Sequence, residues 1–264
     1  SRERLPHTCP APRGRAFSAR LATMTRTIRI DGLANARDLG GLDRGDGTLS
    51  PEGVFVRSER LERLDSDGWQ ALHAYGVRTV IDLRRPDERT GQIPPSISHV
   101  QVDLDGADEK EFWAEYEADG RWGTPLYYLA HLQTLPHRLA RVLNAIAAAD
   151  EGAILFHCSA GWDRTGLVSA VLLRALDVTE DAAAADYLGS FANADAMAAL
   201  HERSFEVEER QQILHRFGHT AESAFRDMYA NLDLDLWFSE SNLEPSTRVA
   251  IETWRGAAGP AGRT

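Results

Sequence analysis

The stretch Ala153-Ile154-Leu155-Phe156-His157-Cys158-Ser159-Ala160-Gly161-Trp162-Asp163-Arg164-Thr165-Gly166, followed by Leu167-Val168-Ser169-Ala170-Val171-Leu172-Leu173, decides how this chain is read. An apolar run fit for a buried strand leads into small residues with a glycine, and a helical pattern follows. A strand, a tight loop and a helix N-terminus in that order make an anion site. Loop N–H groups and first-turn amides converge on one point, where the helix dipole favours negative charge. A cysteine at the base of such a site is expected as a thiolate, because the same donors stabilise its charge. Arg164, six positions after Cys158, offers a planar fork to two oxygens of a phosphate. The chemistry this suggests is attack by sulfur on phosphorus.

Cys-x5-Arg alone is a weak signal; strand, His-Cys, small residues, Gly, Arg, hydroxyl, Gly and helix together are a strong one. The string resembles the signature loop of cysteine-dependent protein tyrosine phosphatases. Other segments are similar to a bacterial branch, the atypical tyrosine/serine phosphatases. They are Asn35-Ala36-Arg37-Asp38-Leu39-Gly40-Gly41, Val56-Arg57-Ser58 with Leu61, Val80-Ile81-Asp82-Leu83-Arg84 with Glu88, and Ala185-Asp186-Tyr187-Leu188. The resemblance covers residues 27–190 well and the remainder loosely. Trp162-Asp163 resembles the loop of the myotubularin lipid phosphatases, whereas most of the bacterial branch would carry lysine at Trp162. The resemblance implies a tyrosine phosphatase-like α/β fold. It also implies hydrolysis of phosphate monoesters through a phosphocysteine, on phosphotyrosine with phosphoserine/threonine as a wider range, without a metal or other cofactor.

Composition bounds the partners. The chain has 264 residues, 43% of them apolar, enough for a substantial core, and a net charge of −11. That charge argues against nucleic acid and against docking on anionic lipid through a general basic surface. No apolar run approaches the roughly 20 residues of a membrane span. A single lysine, Lys110, stands against 28 arginines, which reads as coding bias. Of two cysteines, Cys9 lies in a Pro/Arg-rich tail, so a free thiol in a reducing cytoplasm is the expectation for Cys158. Residues 1–23 contain no continuous apolar segment and read as a disordered extension, with Met24 as a natural start. Residues 24–264 are then expected to form one domain.

Along that domain, strands are expected at Thr27–Ile30, Val54–Val56, Val77–Leu83, Ser98–Leu104 and 153–157. Helices are expected at about 65–75, 136–149 and 164–176, with a helical insertion over about 108–135. Residues 179–254 read as mostly helical, with one long polar helix near Ala194–Phe217. Alternation of this kind gives an α/β fold with a mixed or parallel sheet flanked by helices. The active loop would lie beyond the carboxyl end of its strand.

Cys158 is the candidate nucleophile; the bland alternative is a buried inert thiol. Arg164 is unfavourable at a helix N-terminus without an anion, so it reads as a phosphate clamp that stabilises the transferring group. Ser159, Ala160, Gly161, Trp162 and Asp163 are expected to bind phosphate through their amides. Thr165 either donates its hydroxyl to the sulfur or caps the first turn, and His157 orients the loop. The general acid is read as Asp163. Asp82 is a second possibility, though Asp82-Leu83-Arg84 also fits a turn with internal ion pairing; Asp103 or Asp105, on a separate loop, is a third. The aromatic residues Phe112, Trp113, Tyr116, Trp122, Tyr127 and Tyr128 are expected in the core, or otherwise as a lid. Asp38 is expected to tie down an arginine such as Arg57, and the charges between Ala194 and Phe217 to form a solvated face. A phosphorylated protein or a small phosphomonoester is the expected partner. A phosphoinositide is disfavoured by Trp162, which removes a lysine. A silent phosphate-binding module and a sulfurtransferase are the readings from other classes.

Overall fold

Among the described residues five strands make one sheet, in the order β1-β2-β5-β3-β4. They are β1 Arg37–Asp38, β2 Phe55–Ser58, β3 Val77–Asp82, β4 Ser98–Gln101 and β5 Ala153–His157. Only the β1–β2 pair is antiparallel; β2–β5, β5–β3 and β3–β4 are parallel. The computed structural model describes residues 26–106 and 108–259. The extension expected over 1–23, Cys9 and Met24 lie outside them.

The period of two along the strands, interrupted in β3 by a register shift between Val77 and Thr79, sorts the core into two faces. Ala153 and Leu155 of β5, with Val56, Val77 and Val80, face a small cluster that also holds Leu72. Leu72 belongs to helix α1, Ser66–Tyr75. Ile154 and Phe156, with Phe55 and Ile81, face the larger cluster, on which the remaining helices pack. Central β5 is buried at every residue, as a strand covered on both sides must be. α1 begins and ends where its punctuation says: Asp65 accepts from the Gly68 amide, and Gly76 takes φ +112° in the left-handed region.

Beyond β4 the chain forms α2 Lys110–Ala118, a 3-10 turn at Pro125–Tyr127, α3 Tyr128–Thr134 and α4 Pro136–Ala148. Trp113, Tyr116, Tyr127 and Tyr128 are buried in a chain of edge-on or tilted rings, Tyr116 and Trp113 on Phe112, Tyr127 on Trp113 and His131, and Tyr128 on Tyr127, which answers the lid alternative for them. Trp122 remains exposed. After β5 come α5 Asp163–Ala175, α6 Glu180–Ala192, α7 Ala194–His201, α8 Val207–Arg216, α9 Ala221–Ala230, α10 Leu234–Glu240 and α11 Pro245–Glu252. Trp254 closes the far end: its indole N–H donates to the Leu172 carbonyl and its ring meets Phe55 edge-on at 5.0 Å.

Two expectations are corrected. Thr27–Ile30 forms an isolated bridge, Thr27 to Arg37, because its partner strand is only two residues long. The long helix near 194–217 is broken into α7 and α8: Glu202 and Glu206 both adopt left-handed backbone, and Ser204 Oγ accepts the Glu206 amide. Between them Phe205 turns into the core.

Candidate active site

β5 ends at His157 and α5 begins at Asp163, so Cys158–Trp162 form the connection at the carboxyl end of the parallel strands. The loop lies against the end of β2. Gly161 has φ +64°, and a Cβ there would stand 2.4 Å from the Ser58 carbonyl carbon. No other residue type supplies both that backbone conformation and that clearance. Cys158 is 3% exposed. The hydroxyl of Thr165, fully buried one residue after Arg164, has no hydrogen-bond partner among the described residues.

Arg164 is held between two carboxylates. Its Nη1 lies 2.5 Å from Glu88 Oε2 and its Nη2 2.8 Å from Glu88 Oε1, a two-pronged pairing. Ser159 Oγ donates to the same Glu88 Oε1 at 3.1 Å, and Asp105 Oδ2 lies 3.1 Å from Arg164 Nη1. Burial opposes ionisation of Glu88, yet the guanidinium outweighs it and holds the carboxyl at about 2. Asp105 goes the other way. Burial raises it, Arg164 lowers it and the neighbouring Glu88 charge raises it again, to about 6.

Asp163 is a second ion-paired carboxylate at the loop. Arg210 Nη1 of α8 lies 3.0 Å from both its oxygens. The Arg210 guanidinium also sits 4.7 Å over the Trp162 ring and donates to the Gly123 carbonyl. Burial raises the Asp163 carboxyl and Arg210 pulls it down, the net being upward. The stretch containing Arg210 is therefore more than a solvated face. Trp162 removes a cation from the loop, but its ring seats one that arrives from α8.

Behind the loop lies a buried charge cluster. Asp186 of α6 receives Arg26 Nη1 at 2.8 Å, Arg37 Nε at 3.0 Å and Arg57 Nη1 at 2.6 Å. Burial alone would raise this carboxyl; three guanidinium groups hold it well below the ordinary range. Burial and the nearby Arg57 push Arg37 down to about 10. Arg57 thus pairs with Asp186 and not with Asp38, which instead accepts from the amides of Gly40 and Gly53 and from the Tyr75 hydroxyl. Asp38 is committed to its own turn and edge, leaving Arg57 free to point under the loop.

Asp82 stands apart from Arg164's partners. Arg84 grips it through Nε at 2.9 Å and Nη2 at 2.8 Å, and its Oδ2 is 4.0 Å from His157 Nε2. Burial opposes its charge but Arg84 prevails, leaving its carboxyl below the ordinary value. His157 Nδ1 is 3.1 Å from the Cys158 carbonyl oxygen, and burial pushes the imidazole down toward its neutral form. Among the described residues no group of His, Cys, Asp and Glu side chains is arranged to hold a metal ion. The structure brings Cys158, Asp163, Arg164 and Asp105 to one place. Sequence reasoning assigned no part to Glu88, Arg210, Asn35 or Asp186. Three of these stood in quoted motifs, whereas Arg210 carried no local signal.

The raised Asp105 carboxyl has a measurable consequence. Its folded-state value of about 6 exceeds the unfolded value near 3.8. The native state therefore keeps a proton that the unfolded chain has lost, and stability drains away as pH rises from about 4 through about 6. Asp105→Asn removes that penalty. Denaturant unfolding should show it more stable than the wild type at pH 7.5, by on the order of 1–3 kcal/mol, with the advantage gone below about pH 4. Equal stability of the two proteins at both pH values would contradict this.

Comparison with known proteins places the chain among phosphatases. A curated tyrosine-protein phosphatase of Nostoc commune is 34% identical over 134 residues, 48% of this chain and 44% of that protein. A putative tyrosine-protein phosphatase of Cupriavidus necator is 28% identical over 173 residues, 62% of each chain. The triple specificity protein phosphatase PtpB of Mycobacterium tuberculosis is 29% identical over 210 residues, 67% of this chain and 73% of that one. The chain thus spans less than two thirds of the length of the first two relatives. A crystal structure of a cysteine-to-serine variant of Pseudomonas aeruginosa TpbA with phosphotyrosine matches 67% of this chain and 86% of its own, at 19% identity and a TM-score of 0.32. The family model for the tyrosine phosphatase family matches residues 28–245, and the chain belongs to that family.

Proposed function

We propose that this protein hydrolyses phosphate monoesters through a phosphocysteine, with phosphotyrosine as the main substrate and phosphoserine/threonine as a wider range. One observation carries the reading: Cys158 and Arg164 bracket a loop at a strand-to-helix junction, with Arg164 held in a fixed fork by Glu88. Family membership supports the reaction class, and the tyrosine and triple-specificity phosphatases among the relatives support the substrate range.

In this reading the Cys158 sulfur attacks phosphorus in line, and the P–O bond to the leaving group breaks. The amides of Ser159, Ala160, Gly161, Trp162, Asp163 and Arg164 hold the phosphoryl oxygens where charge develops, joined by the Nε–H and second Nη2–H of Arg164, the donors that Glu88 and Asp105 leave open. The leaving oxygen takes a proton from an acid. Water then attacks the phosphocysteine, giving its proton back to the ionised acid, and the S–P bond breaks so that phosphate leaves with the sulfur restored. The buried Thr165 hydroxyl has no other partner among the described residues and is available to donate to that sulfur.

Asp163 is the proposed acid, being raised by burial and adjacent to Arg164 in the loop. A specific observation favours Asp105 as the alternative. It is raised to about 6 and lies 3.1 Å from the guanidinium that would clamp the phosphate. An arriving dianion raises such a carboxyl further, which leaves it protonated in the complex. Asp82, tied by Arg84, is left with a supporting role.

Cys158→Ser should eliminate release of p-nitrophenol from p-nitrophenyl phosphate while inorganic phosphate still binds; turnover by that variant would remove the phosphocysteine. The acid is found from leaving-group dependence. Loss of the true acid should cost about 10²–10⁴-fold in kcat on phosphotyrosine, whose phenol needs a proton, and far less on p-nitrophenyl phosphate. Asp163→Asn is expected to show that split. Asp105→Asn showing it instead would transfer the role, and neither showing it would exclude both.

A further inference from the structure

The outer side of the loop is as ordered as its inner side. Each carbonyl from Cys158 to Asp163 has a hydrogen-bond partner at its back. Cys158 O lies 3.1 Å from His157 Nδ1, and Ser159 O accepts from the Arg60 amide at 3.2 Å. Ala160 O accepts from Asn35 Nδ2 at 3.0 Å, and Gly161 O from Arg57 Nη2 at 2.9 Å. Trp162 O accepts from the Gly166 amide at 2.8 Å, and Asp163 O from the Tyr128 hydroxyl at 2.8 Å.

A trans peptide is planar with its C=O and N–H pointing in opposite directions. Fixing six consecutive carbonyls outward therefore turns the amides of residues 159–164 the other way. None of those six amides has an acceptor among the described residues. Three of the outer donors are side chains from distant sequence, and two of them, Asn35 and Arg57, are set by the Asp186 cluster. Arg57 reaches Gly161 O while its Nη1 pairs with Asp186. Asn35 reaches Ala160 O while its Oδ1 accepts from Arg37, itself bound to Asp186.

We infer that Asn35 and Arg57 are positioning residues for the reacting anion: by holding the Ala160 and Gly161 carbonyls outward they aim the Gly161 and Trp162 amides at the phosphoryl oxygens. The inference rests on the reading that this loop binds phosphate. It adds that oxyanion affinity is set from behind the loop, by side chains that never touch the substrate. A cation on the Gly161 carbonyl also polarises that peptide, which strengthens its N–H as a donor. Without these contacts a peptide can rotate and present a carbonyl oxygen to an incoming dianion, an arrangement that repels it.

The test is the inhibition constant of inorganic phosphate against p-nitrophenyl phosphate hydrolysis, with kcat and KM, on the full chain. Asn35→Asp is isosteric and replaces the Nδ2 donor by an acceptor facing Ala160 O. Arg57→Lys keeps a cation for Asp186 but loses the second prong on Gly161 O. Each is expected to weaken phosphate by about 10- to 100-fold and to raise KM and lower kcat, since the same amides serve ground and transition states. Arg44→Met is the control for lost stability. Arg44 is a comparably buried guanidinium on a carbonyl, that of Leu176, outside the site. It should lower the melting temperature and leave the phosphate constant unchanged. Should the aspartate variant fail to fold, Asn35→Ala takes its place, with the same expected rise. An active wild type whose phosphate constant is unchanged in both folded variants overturns the inference alone. A wild type with neither hydrolysis nor phosphate inhibition overturns the underlying reading as well.

Discussion

Like charges and like dipoles that converge on one point repel each other, and a protein must hold them there before any ligand arrives. Here the converging groups are the loop amides and Arg164, with Arg57 and Arg210 close behind. Buried carboxylates make the convergence tolerable. Glu88 and Asp105 flank Arg164, Asp163 receives Arg210, and Asp186 gathers Arg26, Arg37 and Arg57. A buried pair of this sort contributes little net stability, because desolvation offsets the attraction; breaking one is expensive because the partner is left charged and unmatched. The gain is in geometry. Donors fixed in advance need no reorganisation when charge develops on the phosphoryl group.

The same arrangement distributes protons. Two carboxylates that share one guanidinium nitrogen diverge, Glu88 falling to about 2 and Asp105 rising to about 6. Glu88 makes the two-pronged contact and keeps its charge. Asp105 is more deeply buried, shares only one nitrogen and feels Glu88 as a like charge. One environment thus yields a fixed anion and, beside it, a carboxyl that titrates close to neutrality, a pattern that separates structural from acid–base carboxylates.

Local signals carried much of the fold. The apolar run 153–156, the Gly76 stop and Pro136 at a helix start each mark an element boundary in three or four residues, and the structure places those boundaries within a residue or two of the pattern. The break between α7 and α8 was not legible. It depends on left-handed backbone at two glutamates and on a core position for Phe205, neither of which a periodicity reports. At the site, the loop itself could be read because strand, glycine and helix start are contiguous. Arg210 could not be: its partners Trp162, Asp163 and Gly123 lie 47 to 87 residues away in sequence, and it sits among charges typical of a wet surface. Asn35, Arg57 and Asp186 stood in recognisable motifs, but only three-dimensional adjacency shows that they converge on one another.

Every role described here depends on residues 158–164 forming a receptacle whose amides face inward before an anion binds. A crystal structure of the Cys158→Ser protein with bound tungstate tests it most directly. The oxyanion should lie within hydrogen-bond distance of the Ser159–Arg164 amides and of the Arg164 guanidinium, with the Ala160 and Gly161 carbonyls still turned toward Asn35 and Arg57. An oxyanion bound elsewhere, or either carbonyl rotated into the loop, would contradict it.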